Sequence, residues 1–137
     1  MKDDAHLPKV LHFEIGGFTG PCHEVLWTDG QLLCRHAPGA YMWQEEPLRC
    51  NPSPEQWEQF WAAVNAAGVW NWARDYTNPD VLDGTQWLLK LTHDGGTVRC
   101  AGSNAFPGSE GPNFDRAIPF GRFLTALERL TGLAEIG

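Results

Sequence analysis

Two of the three Asp-Gly pairs in this chain constrain it more than any other feature, because each of the two lies between two runs of residues with strand-like alternation. Asp29-Gly30 is the first pair and Asp94-Gly95 is the second. An Asp-Gly pair supplies the two positive-φ positions that a two-residue hairpin turn requires. The chain is therefore predicted to contain two β-hairpins, one in each half.

Counting outward from each turn predicts which residues lie opposite one another. In the first hairpin, over residues 22–37, the predicted pairs are Trp27–Leu32, Leu26–Leu33, Val25–Cys34, Glu24–Arg35 and His23–His36. In the second hairpin they are Thr92–Thr97, Leu91–Val98, Lys90–Arg99 and Leu89–Cys100. Matched apolar residues and the Glu24–Arg35 charge pair support the first register, whereas Lys90 and Arg99 bring like charges together.

Two amphipathic helices are predicted to follow the hairpins. Ser53, Pro54 and Gln56 have the spacing of a capping box, and the apolar residues behind them recur with helical period, which predicts a helix over residues 54–67. A second apolar face, ended by Gly132, predicts a helix over residues 119–131.

The remaining segments complete a fold-class prediction. Residues 10–15 alternate as a strand. Residues 38–52 have neither a helical nor a strand period and are predicted to be a connecting loop, with room for one short extended piece, and residues 70–76 are too short and too alternating to classify. This order predicts an α+β domain: an antiparallel sheet of about five strands, in the order hairpin, helix, hairpin, helix, with both helices on one face. Residues 1–137 are expected to form a single domain in which residues 1–8 are a flexible tail.

Charge and composition exclude several classes of protein. The chain has 137 residues and a net charge of −7, and its basic residues are scattered, so no nucleic-acid partner is expected. No apolar run approaches the roughly 20 residues that span a bilayer, and the N-terminus lacks the apolar core of a signal peptide. The four cysteines form no Cys-x-x-Cys pair. We therefore expect a cytoplasmic protein with free thiols and no membrane association.

One candidate metal site lies on the first hairpin. The predicted register places His23 opposite His36, with Cys34 two residues away on the same face, and imidazole and thiolate are zinc ligands. The alternative is that the histidines are simply exposed or capped at the hairpin end. No nucleophile elbow, phosphate-binding loop or His-Glu-x-x-His motif occurs, so no cofactor is expected and an enzyme is disfavoured.

Two other groups are candidate binding residues. Lys90 and Arg99 would tolerate each other better with an anion or an acidic peptide between them, although they could also turn apart into water. The aromatic residues of irregular segments could dock a partner or could close the ends of the core; these are Tyr41, Trp43, Trp70 and Trp72.

The C-terminal half carries two short motifs. Asp83-Gly84 stands three residues before Trp87, and Gly102, Asn104, Phe106 and Pro107 form a Gly-x-Asn-x-Phe-Pro loop ahead of the last helix. In these motifs, over about residues 80–131, the chain resembles a group of small bacterial proteins of unassigned function. The resemblance implies a shared fold and implies no catalytic residues.

Size and charge together lead to an expectation of function. We expect a small acidic binding protein without catalytic activity, whose partner is another protein and which neutralises a basic partner as immunity or antitoxin proteins do. The alternative is a metal-binding protein or metal-dependent enzyme that uses His23, His36 and Cys34. The oligomeric state is left open.

Overall fold

The described part of the chain folds into one sheet and two α-helices. The computed structural model describes residues 6–17, 22–37, 47–77, 85–108 and 117–132. Its elements are, in chain order, β1 (Val10–Gly17), β2 (Cys22–Thr28), β3 (Gln31–Ala37), β4 (Leu48–Cys50), α1 (Pro54–Ala66), a 3₁₀ turn (Val69–Asn71), β5 (Asp75–Thr77), β6 (Thr85–His93), β7 (Gly96–Ser103) and α2 (Pro119–Thr131). The strands are arranged in the order β4-β3-β2-β1-β6-β7-β5.

Asp29-Gly30 and Asp94-Gly95 form the predicted hairpin turns. Asp29 and Asp94 have φ values of 52° and 48°, and the glycines that follow them have φ values of 74° and 82°. All four lie in the left-handed region that a type I′ turn requires. Every predicted cross-strand pair of the β2–β3 and β6–β7 hairpins is present in the structure. β1 lies between the two hairpins and pairs antiparallel with β2 and with β6.

The predicted α+β class is confirmed. The predicted sheet of about five antiparallel strands matches the structure only in part. The sheet has seven strands and is mixed, because β5 pairs in parallel with β7. The two strands outside the predicted count, β4 and β5, form the two edges of the sheet and have three residues each. Three residues are too few to establish an alternating pattern, so residues 38–52 were assigned to a loop with room for a short extended piece and residues 70–76 could not be classified.

Both predicted helices are confirmed, and they pack on the same face of the sheet. The Ser53 Oγ accepts a hydrogen bond from the Gln56 backbone N–H at 3.1 Å, and the Gln56 side chain accepts one from the Ser53 N–H at 2.8 Å. From the sheet, Phe13 contacts Phe123 of α2 with ring centroids 5.4 Å apart, and Trp27 contacts Trp57 of α1 at 5.6 Å. Neither helix has the length and apolar character needed to cross a bilayer.

Residues 6–8, assigned above to a tail, contact the core. The Trp61 indole N–H donates a hydrogen bond to the His6 carbonyl at 2.7 Å, Leu7 packs against the core cluster, and Pro8 is buried. A large α1 side chain thus holds this segment through a backbone carbonyl, an interaction that local sequence pattern does not report. Residues 1–5 lie outside the described residues.

The Trp87 and Gly-x-Asn-x-Phe-Pro motifs meet in space and hold the end of the sheet against α2. The Trp87 indole N–H donates to the Ala105 carbonyl at 3.0 Å, and the indole lies so close to Gly102 that a Cβ there would be 2.2 Å from Nε1. Asn104 is buried with φ of 59°, and the Phe106 ring packs on Phe120 at 4.8 Å. The described motif residues therefore have a structural explanation.

Candidate binding surface on the open sheet face

The sheet face turned away from α1 and α2, here called the open face, carries two cross-strand rows of side chains. Strand alternation sends Leu11, Phe13 and Ile15 into the core and therefore sends His12 and Glu14 to the open face. The first row runs across the sheet as Leu33, Leu26, His12, Lys90 and Arg99. The second row runs in parallel as Arg35, Glu24, Glu14, Leu88 and Ala101. Both rows thus combine charged side chains with leucine.

Glu24 is the centre of a buried charge network on this face. Its side chain is 9% exposed, and its Oε1 accepts a hydrogen bond from Arg35 Nε at 2.7 Å and forms an ion pair with Arg35 Nη2 at 2.6 Å. Its Oε2 lies 2.9 Å from His12 Nε2. Burial by itself would raise the pKa of Glu24, but the hydrogen bonds from Arg35 and His12, together with the Arg35 charge, hold the pKa below its usual value. Glu24 is therefore an ionised carboxylate at neutral pH.

A second carboxylate approaches the same imidazole. Glu14 Oε2 is 2.8 Å from His12 Nε2, and the Glu14 side chain is 36% exposed. The ligand atoms of His12, Glu14 and Glu24 lie within 4.8 Å of one another, and within the described segments this is the group that could hold a metal ion. Imidazole nitrogen with two carboxylate oxygens is a ligand set that suits zinc or manganese. Alternatively, no ion is bound and the His12 Nε2–H donates a hydrogen bond that the Glu14 and Glu24 carboxylates share.

Sequence reasoning missed this cluster. The alternation of β1 places His12 and Glu14 on one side, which is a signal that the chain does contain. What brings Glu24 beside them is the antiparallel pairing of β1 with β2, which opposes Glu14 to Glu24. The sequence did not predict that register, because residues 18–21 between the two strands contain no Asp-Gly pair from which to count outward.

Lys90 and Arg99 lie directly opposite each other, as predicted, and both are exposed on the open face. Neither forms an ion pair with any residue that the structure describes. Arg49, opposite Leu33 at the β4 edge, is exposed as well. Because Glu24 is already neutralised by Arg35, the charges that this face offers to a partner are mainly positive.

Two of the four aromatic candidates, Trp70 and Trp72, pack against the core. The Trp70 indole N–H donates to Asn65 Oδ1 at 2.7 Å, and its ring stacks on Trp61. Trp72 packs edge-on against Trp87 and against Phe123 of α2. Both are partly buried against the core, so their contacts favour closure of the core ends, and a docking role for them stays a prediction. Tyr41 and Trp43 lie outside the described residues.

The His/Cys candidates lie on the helix-covered face. The rings of His23 and His36 are 4.7 Å apart, whereas the Cys34 sulfur contacts the Cys50 sulfur at 3.1 Å. Burial and the neighbouring His36 lower the pKa of His23, although Glu128 of α2 acts in the opposite direction. In the described part of the chain His23, His36 and Cys34 do not form a three-ligand group of metal size. A metal at these residues stays a prediction.

Comparison of the chain with protein-family models, with curated proteins and with solved structures finds no match.

Proposed function

We propose that this chain is a cytosolic, non-catalytic binding protein whose open face docks an extended acidic segment of a partner protein. The observation that carries the proposal is made on a face that α1 and α2 leave uncovered: half-buried leucines lie there beside cations that form no ion pair with any described residue. The leucines supply apolar contact area, and the cations determine which partner fits.

The leucines are unusual for an outward-facing antiparallel sheet, which is normally polar where it faces water. Leu26 and Leu33 form a cross-strand pair, and Leu88 lies two strands away beside Glu14. All three are only half-buried, and Val10 on the same face is 42% exposed. Apolar area of this kind, rimmed by polar groups, is typical of protein-binding surfaces.

The cations favour an acidic segment over a basic one at this face. Lys90 and Arg99 repel each other across the β6–β7 pair, and a carboxylate between them would turn that repulsion into attraction. The described residues contain eight acidic and eight basic side chains, so the net charge of −7 arises in the segments outside them. Neutralisation of a basic partner, as expected from overall charge, would therefore have to use those segments.

The test is affinity capture with three forms of the full-length protein as bait. The forms are wild type, a Lys90→Glu/Arg99→Glu double variant, and Arg122→Glu, whose charge lies on α2 on the opposite side of the sheet. Quantitative mass spectrometry compares what each bait retains from its own host. We expect a partner retained by wild type and by Arg122→Glu and reduced about tenfold or more by the double variant, which corresponds to at least about 1.4 kcal/mol. Equal retention by all three baits, or no retained partner, would contradict the proposal.

Metal binding is a second candidate, because the ligand atoms of His12, Glu14 and Glu24 converge. Calorimetric titration of the purified protein with zinc chloride tests it. Stoichiometric binding that His12→Ala abolishes and His36→Ala preserves would support this group. The reverse pattern would support the site expected from sequence at His23, His36 and Cys34, and no binding by wild type would exclude both.

A further inference from the structure

Two cysteines that are far apart in sequence meet where β4 pairs with β3. Cys34 lies opposite Leu48, and Cys50 lies opposite Leu32, so both thiols are on the same side of the strand pair. Their sulfur atoms are 3.1 Å apart. Cys34 is buried at 2% exposure, and Cys50 is only half-buried. One thiol of the pair is therefore more accessible to a reagent than the other.

The surroundings of the pair distinguish the two thiols chemically. The contact between the two sulfur atoms lowers the pKa of Cys50 to about 7, while the same contact and burial raise the pKa of Cys34. Cys50 also donates to the Thr131 carbonyl at the end of α2, at 3.5 Å. The thiolate is the reactive form of cysteine. Cys50 is therefore suited to attack an external disulfide, and Cys34 is suited to react with the mixed disulfide that forms on Cys50.

We propose that Cys34 and Cys50 form a site of reversible oxidation, at which a small disulfide such as oxidised glutathione converts the two thiols into an intramolecular disulfide. This inference is independent of the proposed function. It assigns a chemical role to two residues that the open face does not use.

The reaction balances as two thiol–disulfide exchanges. The Cys50 thiolate attacks one sulfur of oxidised glutathione, forms a mixed disulfide and releases one glutathione thiolate. Cys34 then attacks the Cys50 sulfur, its proton passes to the departing second glutathione, and the Cys34–Cys50 bond forms. Two protein thiols are oxidised, and one glutathione disulfide is reduced to two glutathione thiols.

The fold permits this closure. A disulfide requires the sulfurs at about 2.05 Å, so they must move about 1 Å closer together. β4 is a three-residue edge strand, and within the described residues it pairs with β3 alone. It can therefore move toward β3 without breaking other strand pairs. The bond would replace the Cys50 hydrogen bond to α2 with a covalent link to β3, and it would hold Arg49 at the rim of the open face.

The other described cysteines provide controls. Cys100 is buried at 4% exposure, and burial raises its pKa to about 12, so it is expected to stay reduced. Cys22, at the start of β2, is half-buried like Cys50 and is the matched control for accessibility.

The experiment treats the native, full-length protein with oxidised glutathione and follows it by intact-mass spectrometry and non-reducing peptide mapping. We expect wild type to lose two of its four free thiols, to lose the mass of two hydrogen atoms, and to yield a peptide linking Cys34 to Cys50. Cys22→Ser should behave in the same way. Cys34→Ser should instead accumulate glutathione on Cys50, because no second thiol is present to resolve the mixed disulfide, and Cys50→Ser should keep Cys34 reduced.

Peptide mapping of the wild type decides the question even if a variant does not fold. A wild-type protein that keeps four free thiols, that carries unresolved glutathione on Cys50, or that links other cysteines would overturn the proposal. Restoration of four thiols by dithiothreitol would show that the modification is reversible, and failure to restore them would refute that part of the inference.

Discussion

Glu24 carries a negative charge although its side chain is almost fully buried. Its charged neighbours offset the free-energy cost of burying that charge. Arg35 donates a hydrogen bond through Nε to one carboxylate oxygen and forms an ion pair with it through Nη2, and His12 Nε2 lies against the other oxygen. A buried charge is costly unless it is paired, so the three side chains stabilise one another as a unit. At the scale of single residues, this unit links side chains of β1, β2 and β3 on the open face.

Replacing Glu24 with Gln tests that interpretation. The change keeps the shape of the side chain and removes the charge that Arg35 and His12 share, so we expect the free energy of unfolding to fall by about 1–3 kcal/mol at pH 7. Glu14→Gln is the matched control on the adjacent strand, and because Glu14 is partly exposed we expect a loss below about 1 kcal/mol. Urea denaturation followed by tryptophan fluorescence measures both values. A larger loss for Glu14→Gln than for Glu24→Gln would place the centre of the network elsewhere.

The same carboxylate predicts a pH dependence. Folding lowers the pKa of Glu24 below its unfolded value of about 4.3, so the unfolded state binds the proton more readily. The stability contributed by ionised Glu24 is fully present above that unfolded value and is lost as the pH falls through the lower folded value. The difference in unfolding free energy between wild type and Glu24→Gln should therefore shrink from pH 7 to acid. A difference that is constant with pH would contradict this assignment.

Gly102 provides a steric test at the same scale. A methyl group there would lie 2.2 Å from Trp87 Nε1, so Gly102→Ala must displace the indole and weaken its hydrogen bond to the Ala105 carbonyl. We expect a loss of about 1–3 kcal/mol in unfolding free energy. Ala101→Ser, at the exposed neighbouring position, should change it by less than about 0.5 kcal/mol. Equal effects of the two substitutions would contradict the tight packing described here.

At the scale of elements, long and short segments behave differently. The hairpins and both helices contain local signals, namely Asp-Gly turns, a capping box and one-sided apolar periods, and all four were predicted correctly. The edge strands β4 and β5 contain none, and they exist because β3 and β7 offer them backbone partners. Short edge strands also limit pairing with other chains. The long elements could thus be predicted from local sequence patterns, whereas the three-residue strands form only because a neighbouring strand pairs with them.

The cap of α1 is an element whose contribution can be measured. Ser53→Ala removes the side-chain acceptor for the Gln56 backbone N–H, and we expect the unfolding free energy to fall by about 1 kcal/mol. Gln59→Ala, an exposed substitution on the same helix, should change it by less than about 0.5 kcal/mol. Chemical denaturation monitored by circular dichroism compares the two. An unchanged stability for Ser53→Ala would mean that the cap is redundant.

At the scale of the whole molecule, one core joins both hairpins and both helices. Phe13 of the central strand contacts Phe120 and Phe123 of α2, and Phe123 in turn contacts Phe60 of α1. Because β1 pairs with β2 of the first hairpin and with β6 of the second, the two hairpins belong to one continuous sheet with no break between them. The described residues therefore behave as a single packing unit with one covered face and one open face.

Such a unit should unfold in one cooperative step. Tryptophans distributed along the chain, among them Trp27, Trp57 and Trp87, report on β2, α1 and β6, and circular dichroism reports on the helices and the sheet. We expect urea transitions monitored by fluorescence and by circular dichroism to coincide. Two separated transitions would show that the halves fold independently and would contradict a single domain.

The sequence by itself determined the hairpin registers, the two helices with their ends, and the cross-strand placement of Lys90 and Arg99. These features depend on contacts between residues close in the chain, where turn geometry and side-chain periodicity decide the outcome. The tertiary structure alone decided the central position of β1, the parallel pairing of β5, the meeting of His12 and Glu14 with Glu24, and the approach of Cys34 to Cys50. The last two depend on pairings between consecutive strands whose connections carry no Asp-Gly turn, and the first two depend on which strands distant in sequence become neighbours. That choice follows from burial of the whole apolar face at once, because no local pattern along the chain encodes it.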